Sequence, residues 1–585
     1  MPNILLNLTK YLFITIIAAV IRTAFCISAT AQDSLPLPQP SIYSASYPKN
    51  EIRAVWLATI GGIDWPRTKA NNDSGIECQK KELIDILDRL QRANINTVIL
   101  QTRIRGSVIY PSAHEPWDEC LTGHPGKNPG YDPLQFAIEE CHKRGMELHA
   151  WMVCIPLGKQ QKQKKFGSQS IMKKQPALCK TAGGEVFMIP GQSGTAEHIA
   201  SMCREITEKY DIDGISLDYI RYPEKVYRFS DDNLYYSLTK SLKQKKRTAA
   251  NTGISNNHTD VGSIANWKRE NITRIVRRVN EEVKSIKPWV KLSSSPIGKY
   301  NDLSRYSSHG WNCYNAVYQD PQAWLKDNLQ DMLFPMMYFT GDNFFPFLFN
   351  WAENSYGHPV VPGLGIYFLD PREGRWQLND VRAEMYVSRH TDIGGIAFYR
   401  SDFLTRNCKG IYDCVCEEFC PYPSLQPRMT WASDTIAPPS PQNLRYEDGV
   451  LVWSEGHTDS TFPDNYSESS YIYYNVYGSN TYPVDITRAE NILATRITSS
   501  SLELSGRAAS MRYFAVTASD RFGNESQAAQ ENESMNRPAS NRALNPLMRI
   551  GVNGVEIGEF KFTEHKSAPR AKPSKGSKRS GRRDK

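Results

Sequence analysis

The run Asp213-Gly214-Ile215-Ser216-Leu217-Asp218 carries an apolar stretch from one acid to another, and Tyr219, Arg221 and Tyr222 follow at once. An Asp that ends a buried strand is fixed at the floor of a pocket. An arginine three residues further on is placed to hold that carboxyl ionised through a charge-assisted hydrogen bond. Asp211 and Asp213 precede the strand and are expected at its other end, as a cap and a turn. Comparable groups sit at or after the ends of seven other apolar runs. They are Asp64 and Trp65; Arg103, Arg105, Glu115 and Trp117; His149 and Trp151; Ser295; Tyr338 and Asp342; Tyr367 and Asp370; and Tyr399, Arg400 and Asp402.

Acids, arginines and aromatic rings dominate this inventory. It suits glycosidic bond cleavage, which needs a protonated carboxyl to assist the leaving oxygen. It also needs an ionised carboxylate to attack, or to activate water, through an oxocarbenium-like transition state. No clustered His/Asp metal set, Gly-rich phosphate loop or Gly-x-Ser-x-Gly elbow occurs, so neither a metal nor a cofactor is expected. Asp218 is the leading catalytic candidate, read as the ionised carboxylate with Arg221 setting its charge. The partner acid is expected among Asp64, Glu115, Asp342, Asp370 and Asp402. Arg103, Trp117, His149, Trp151, Tyr222, Tyr338, Tyr367 and Tyr399 are expected to bind substrate, with rings stacked on sugar faces. Structural readings stand beside these: Asp218–Arg221 as an ion pair, Asp64 as a turn residue, His149 as a bonded core histidine, and Trp151 and Tyr338 as core.

These residues need a frame that gathers strand ends. From residue 51 the chain alternates strand-like runs with amphipathic helical ones. Strands are expected at Arg53–Ile60, Asn96–Arg103, Met146–Val153, Asp213–Asp218, Val290–Ser295, Asp331–Tyr338, Val360–Tyr367 and Gly395–Tyr399. Helices are expected at Lys80–Ala93, Asp132–Arg144, Thr195–Tyr210, Trp267–Ile286, Pro321–Leu329, Phe344–Asn354, Leu378–His390 and Gly410–Phe419. A long polar loop follows the third strand. Eight alternating pairs predict a (β/α)8 TIM barrel over residues 51–425, with right-handed crossovers and the site at the strands' C-terminal ends. A doubly wound open sheet is the alternative.

The texture changes after Asp434. Val450–Trp453, Tyr473–Gly478 and Arg512–Ser519 alternate without helices, which predicts a fibronectin type III-like β-sandwich over 434–530. A short β-like extension covers 531–565, and a disordered basic tail covers 566–585. The tail's nine Lys or Arg residues and Asp584 account for the whole net charge of +8. The folded part therefore shows no bias towards nucleic acid; the tail is read as solvated, or as a weak contact with the envelope. Lys10, the apolar run Tyr11–Val20 and Ala29-Thr30-Ala31 read as a signal peptide over 1–31, followed by a linker over 32–50. The run is too short to span a bilayer, and no other transmembrane candidate occurs. The expected location is periplasmic or extracellular, with Cys26 as a lipid-anchor alternative. Cys408, Cys414, Cys416 and Cys420 cluster, either as a local disulfide or as buried thiols.

Several segments carry a resemblance. They include Glu51-Ile-Arg-Ala-Val-Trp-Leu-Ala-Thr59 with Asp64-Trp65-Pro66, Tyr110-Pro111-Ser112 with Glu115-Pro116-Trp117, and Pro129-Gly-Tyr-Asp-Pro-Leu134. His149-Ala150-Trp151, Asp213 to Pro223, Trp267-Lys-Arg-Glu-Asn271 and Met336-Met337-Tyr338 complete the set. Over residues 51–420 the chain resembles the bacterial glycoside-hydrolase-like family 10. The resemblance implies an oligo- or polysaccharide substrate, from the bacterial cell wall (peptidoglycan) or an exported polysaccharide. It carries over Asp218 alone, because Tyr219 and Ser107 stand where many members have acids. A catalytically inactive glycan-binding barrel and an adhesive protein are the competing readings. Nothing in the sequence sets an oligomeric state.

Overall fold

The computed structural model describes residues 47–224, 232–233, 235–237, 239–241, 263–306, 310–456, 472–530, 549–551 and 554–556. The expected signal peptide, Cys26 and the basic tail lie outside these residues. Two compact units divide the chain at Asn532 and Glu533. In the second unit, β20 (Arg549–Gly551) and β21 (Gly554–Glu556) pair antiparallel.

The first unit opens with β1 (Ile52–Leu57), β2 (Thr97–Arg103) and β3 (Glu147–Val153). Three short strands follow, β4 (Pro156–Lys159), β5 (Cys179–Ala182) and β6 (Glu185–Met188). Then come β7 (Gly214–Asp218), β8 (Lys291–Ser294), β9 (Met332–Leu333), β10 (Met336–Met337), β11 (Gly363–Leu364) and β12 (Gly395–Phe398). Nine of them form one parallel sheet in the order β10-β11-β12-β1-β2-β3-β7-β8-β9. Its two ends are halves of a single run, parted at Phe334-Pro335, where proline has no N–H to give. That run bonds to both sides. Phe334 N donates to Ser294 O at 2.8 Å and Met336 N to Pro296 O at 2.9 Å; on the other side Gly363 N donates to Pro335 O at 2.8 Å. The sheet curls round to give a TIM-like α/β barrel.

Alternation along the strands sorts the core into two layers. Ile52, Ala54, Trp56, Ile99, Trp151, Phe334 and Ala397 fill one cluster, inside the sheet. Val55, Leu57, Val98 and Leu100 join the larger cluster against the helices, with Leu83, Leu87 and Leu90 of helix Asp73–Arg92. Each such leucine contributes roughly 1.5–3 kcal/mol by burial. That helix starts a full two turns before the expected Lys80. Its first residues are polar and carry no apolar period, but the Asn72 side chain caps it by accepting from Gly75 N. Helix Pro133–His142 fits its signals better, with the Asp132 carboxylate accepting from Leu134 N and Gln135 N.

Three expectations are corrected. The polar loop after β3 is folded: β4, β5 and β6 make an antiparallel sheet, turned at Gly183-Gly184 with both glycines at positive φ. The strand expected over Val360–Tyr367 shortens to β11, because the chain enters a 3-10 turn at Ile366–Leu369. The last helix breaks into short turns, since Lys409 and Gly410 take left-handed conformations.

Beyond residue 440 lie two antiparallel sheets. β13 (Gln442–Glu447), β14 (Val450–Ser454) and β17 (Ser501–Glu503) form one. β15 (Tyr473–Ser479), β16 (Ile492–Ile497), β18 (Tyr513–Ser519) and β19 (Ala529–Gln530) form the other. Trp453 meets Tyr474 edge-on across them at 5.3 Å. They join the base of the barrel through Arg496, which donates to Glu147 at 3.0 Å and to Asp213 at 2.6 Å. Asp213 thus lies at the end of β7 opposite Asp218, as its place in the sequence implies. The clustered cysteines Cys408, Cys414, Cys416 and Cys420 are free thiols.

Candidate active site

Asp218 ends β7 and is 4% exposed. Tyr219 after it has φ +49°, a left-handed conformation uncommon outside glycine. The turn brings the Tyr219 N–H onto Asp218 Oδ1 at 2.6 Å, while Trp151 Nε1 donates to Oδ2 at 2.9 Å. Burial pushes the Asp218 carboxyl above its ordinary range. Arg221, the two N–H donors and Arg105 pull the other way and are outweighed.

This corrects the expected role of Arg221. No hydrogen bond joins it to Asp218. Its guanidinium lies over the Tyr219 ring at 4.3 Å and 5.8 Å from the Trp311 ring. Its charge favours the ionised form without contact, but desolvation is the larger effect.

Asp218 opens into a cavity of about 390 Å³ at the C-terminal end of the sheet. Trp56, Trp151, Tyr219, Tyr338, Tyr367, Tyr399 and Phe403 supply its rings. Ser295, Glu373 and Arg400 supply polar groups. Tyr399 is the hub: its ring is 5.2 Å from Tyr338, 5.7 Å from Tyr367 and 5.9 Å from Trp56. Burial pushes the hydroxyls of Tyr338 and Tyr399 well up, and the nearby Asp218 carboxylate adds to it. Tyr367 is pushed up to about 12, chiefly by burial. All three stay protonated near neutrality, as hydrogen-bond donors in an apolar-walled pocket.

Of the residues expected to bind substrate, Trp151, Tyr338, Tyr367 and Tyr399 reach this pocket. The others do not line it. Arg103 holds Glu115 in a buried fork, with Nε to Oε2 at 2.9 Å and Nη2 to Oε1 at 2.5 Å, and His198 joins at 3.0 Å. Burial alone would raise the Glu115 carboxyl, but the Arg103 guanidinium and the hydrogen bond from His198 bring it down to about 2. His149 points into the barrel below the pocket, 3.2 Å from Glu147 and edge-on to Phe334. Tyr222 is buried and accepts from Asn271. Trp117 packs against the outer core.

None of the five expected partner acids lines the cavity, and for four of them an arginine is the reason. Glu115 is taken by Arg103. Asp64 is buried and accepts from Ala58 N and from Arg400. Asp402 pairs with Arg67 at 2.6 Å and with Arg406 at 2.9 Å. Asp370 pairs with Arg372 at 2.7 Å. The fifth, Asp342, is exposed in the turn Gly341–Asn343.

The model of the glycosyl hydrolase-like 10 family matches residues 51–362. The chain belongs to that family. It is 29% identical over 505 residues to glycosyl hydrolase YngK of Bacillus subtilis (strain 168), covering 82% of this chain and 92% of that protein. It is 32% identical over 304 residues to glycosyl hydrolase DigH of Escherichia coli (strain K12), covering 49% of this chain and 65% of that protein. With relatives so named across the barrel, the protein is a glycoside hydrolase.

For this family member the structure adds Trp56, Phe403 and Glu373 to the sequence-derived set. Trp56 walls the cavity from β1. It is hidden in the apolar run of that strand, where every second residue faces inward. Glu373 lines the cavity from the loop after β11 and is, with Asp218, one of its two carboxylates among the described residues. It is exposed and lies next to Arg372, so in sequence it reads as part of a solvated turn.

Proposed function

We propose that the protein is exported and cleaves glycosidic bonds in a bacterial cell-wall glycan or exported polysaccharide, with Asp218 and Glu373 as its carboxylate pair. The observation that carries the reading is Asp218 itself. It is a buried carboxyl, raised above its ordinary range, at the floor of a ring-walled cavity that a second carboxylate shares. Two carboxyls in unlike environments are the usual basis for dividing acid and base roles.

Asp218 gives its proton to the glycosidic oxygen as the bond from the anomeric carbon breaks, and the electron pair leaves with that oxygen. Glu373, on the solvent side, takes a proton from the attacking water or attacks the anomeric carbon itself. The separation of the two carboxyls at the moment of reaction selects between these. The half-buried rings of Tyr367 and Tyr399 cover apolar sugar faces, and the tyrosine hydroxyls donate to sugar oxygens.

Export rests on Lys10, the apolar run Tyr11–Val20 and Ala29-Thr30-Ala31, with the mature chain starting near Gln32. Among the described residues, no helix is long and apolar enough to cross a membrane. The two C-terminal sheets are read as a fibronectin type III-like module, and the basic tail as a weak contact with anionic envelope polymers. The test is incubation of purified full-length protein with peptidoglycan glycan strands and with exported polysaccharides, followed by mass spectrometry. New reducing ends are the expected result. Binding without any cleaved product would sink the reading in favour of an inactive glycan-binding barrel.

A further inference from the structure

Arg221 is only 7% exposed, and its Nη1 is shut off from solvent without a hydrogen-bond partner. Among the described residues no carboxylate lies within ion-pair distance of it. Fully buried charges are normally paired, because desolvation of a lone cation is costly. Three other arginines of the barrel each have an acid: Arg103 has Glu115, Arg400 has Asp64, and Arg406 has Asp402. A guanidinium left without one beside the candidate active site is placed for an anion that arrives from outside.

Its neighbours fit that visitor. Arg221 lies between the Tyr219 ring, which lines the Asp218 cavity, and the ring of Trp311, which follows β8 at the same end of the barrel. Trp311 is 42% exposed, a large apolar ring left in water. Such a face stacks on a pyranose ring. A guanidinium beside it offers two parallel N–H groups to a carboxylate.

The charge of the rim agrees. The sheet β4-β6-β5 is rooted beside the site, since Cys154 N donates to Asp218 O at 2.8 Å. From residue 156 to residue 184 there is no Asp or Glu, and Lys159, Lys164, Lys165, Lys173 and Lys174 are exposed. The chain outside the C-terminal tail is neutral overall, so this is a local cationic rim. Such a rim draws an anionic polymer towards the mouth.

We infer that Arg221 and Trp311 form a subsite for a sugar unit bearing a free carboxylate, next to the unit whose bond is cleaved at Asp218. Trp311 takes the ring and Arg221 the carboxylate. This rests on the proposed glycan cleavage and names a chemical feature of the substrate that the cleavage alone does not require.

The test uses the full-length enzyme on glycan strands from purified bacterial peptidoglycan, before and after carbodiimide–borohydride reduction of their carboxyls to alcohols. For the wild type, KM should rise roughly tenfold or more on the reduced strands with little change in kcat, the scale of a lost charged hydrogen bond. Arg221→Gln should show the raised KM already on native strands and no further rise on reduction. Arg221→Lys should keep part of the preference, and Trp311→Ala should raise KM on both alike. Equal wild-type KM on the two strands would overturn the subsite while leaving glycan cleavage standing, and that comparison needs no variant to fold. Arg221→Gln that still prefers native strands would overturn it as well. A wild type that cleaves neither strand nor any other glycan would overturn the proposed function and the subsite with it.

Discussion

Trp151 donates its indole N–H to Asp218 Oδ2 at 2.9 Å from the neighbouring strand, where Val153 and Asp218 are in register. The bond favours the ionised carboxylate, yet burial wins and the carboxyl stays above its ordinary range. As proton donor, Asp218 works below its own pKa, so kcat/KM should fall as pH rises through that value. The alkaline limb should therefore lie above the range of an ordinary aspartate. Trp151→Phe removes a donor to the charged form and raises the carboxyl further. Its limb should move to higher pH, even if peak activity drops with the altered wall. A pH–rate profile of both proteins measures this; a limb that stays or moves down would count against Asp218 as the acid.

Glu115 supports the fold rather than the pocket. Its carboxyl is lowered from 4.5 to about 2 by Arg103 and His198 against burial. A depressed carboxylate contributes stability that is present above its unfolded value and is lost as pH falls from about 4.5 towards 2. That shift corresponds to roughly 3 kcal/mol. Glu115→Gln should lose about that much at neutral pH, because Arg103 is left buried without its counter-charge. Urea midpoints of the two proteins should converge on acidification through that window. A constant gap, or none at pH 7, would contradict the assignment.

Much of this was readable from residue types. An acid closing the apolar run before Asp218, and Asp132 with Pro133 opening a helix that ends before Gly145, each state their own geometry. The Gly183-Gly184 turn between two short runs was also a readable hairpin signal. It was masked by the lysines of Gln160–Lys165, whose polarity resembles an open loop. The partner acid was not readable. Spacing cannot tell which acid an arginine will consume from another strand, as Arg400 does with Asp64. Asp402 and Arg406 do stand one helical turn apart, a local clue to pairing. Glu373 has no such clue, since only the closing of the sheet brings its loop over Asp218.

Arg496 ties the C-terminal sheets to the base of the barrel. It bridges Glu147 and Asp213 and lies 4.2 Å from the Tyr473 ring. Arg496→Gln should cost about 3–5 kcal/mol, since two buried carboxylates lose a shared partner. Limited proteolysis should then cut between barrel and sheets faster than in the wild type. Activity per folded molecule should persist, because the bridge lies at the far end of β7 from Asp218. Unchanged stability and cleavage pattern would show that the apolar contacts alone hold the sheets.

Glu373→Gln should separate the two carboxylate roles. Rate should drop by about 10²-fold or more with loss of the base or nucleophile. Stability should not change, because the side chain is exposed on its loop. Full activity in Glu373→Gln would return the search to other acids.

Glycan cleavage at Asp218 is the step on which the proposed activity depends. The most direct measurement is the turnover of wild type and Asp218→Asn on one glycan shown to be cut, with both proteins checked for folding. Asp218→Asn keeps the shape of the side chain and removes the titrating carboxyl, so kcat should fall by about 10²-fold or more. Near-equal turnover by the two folded proteins would contradict it.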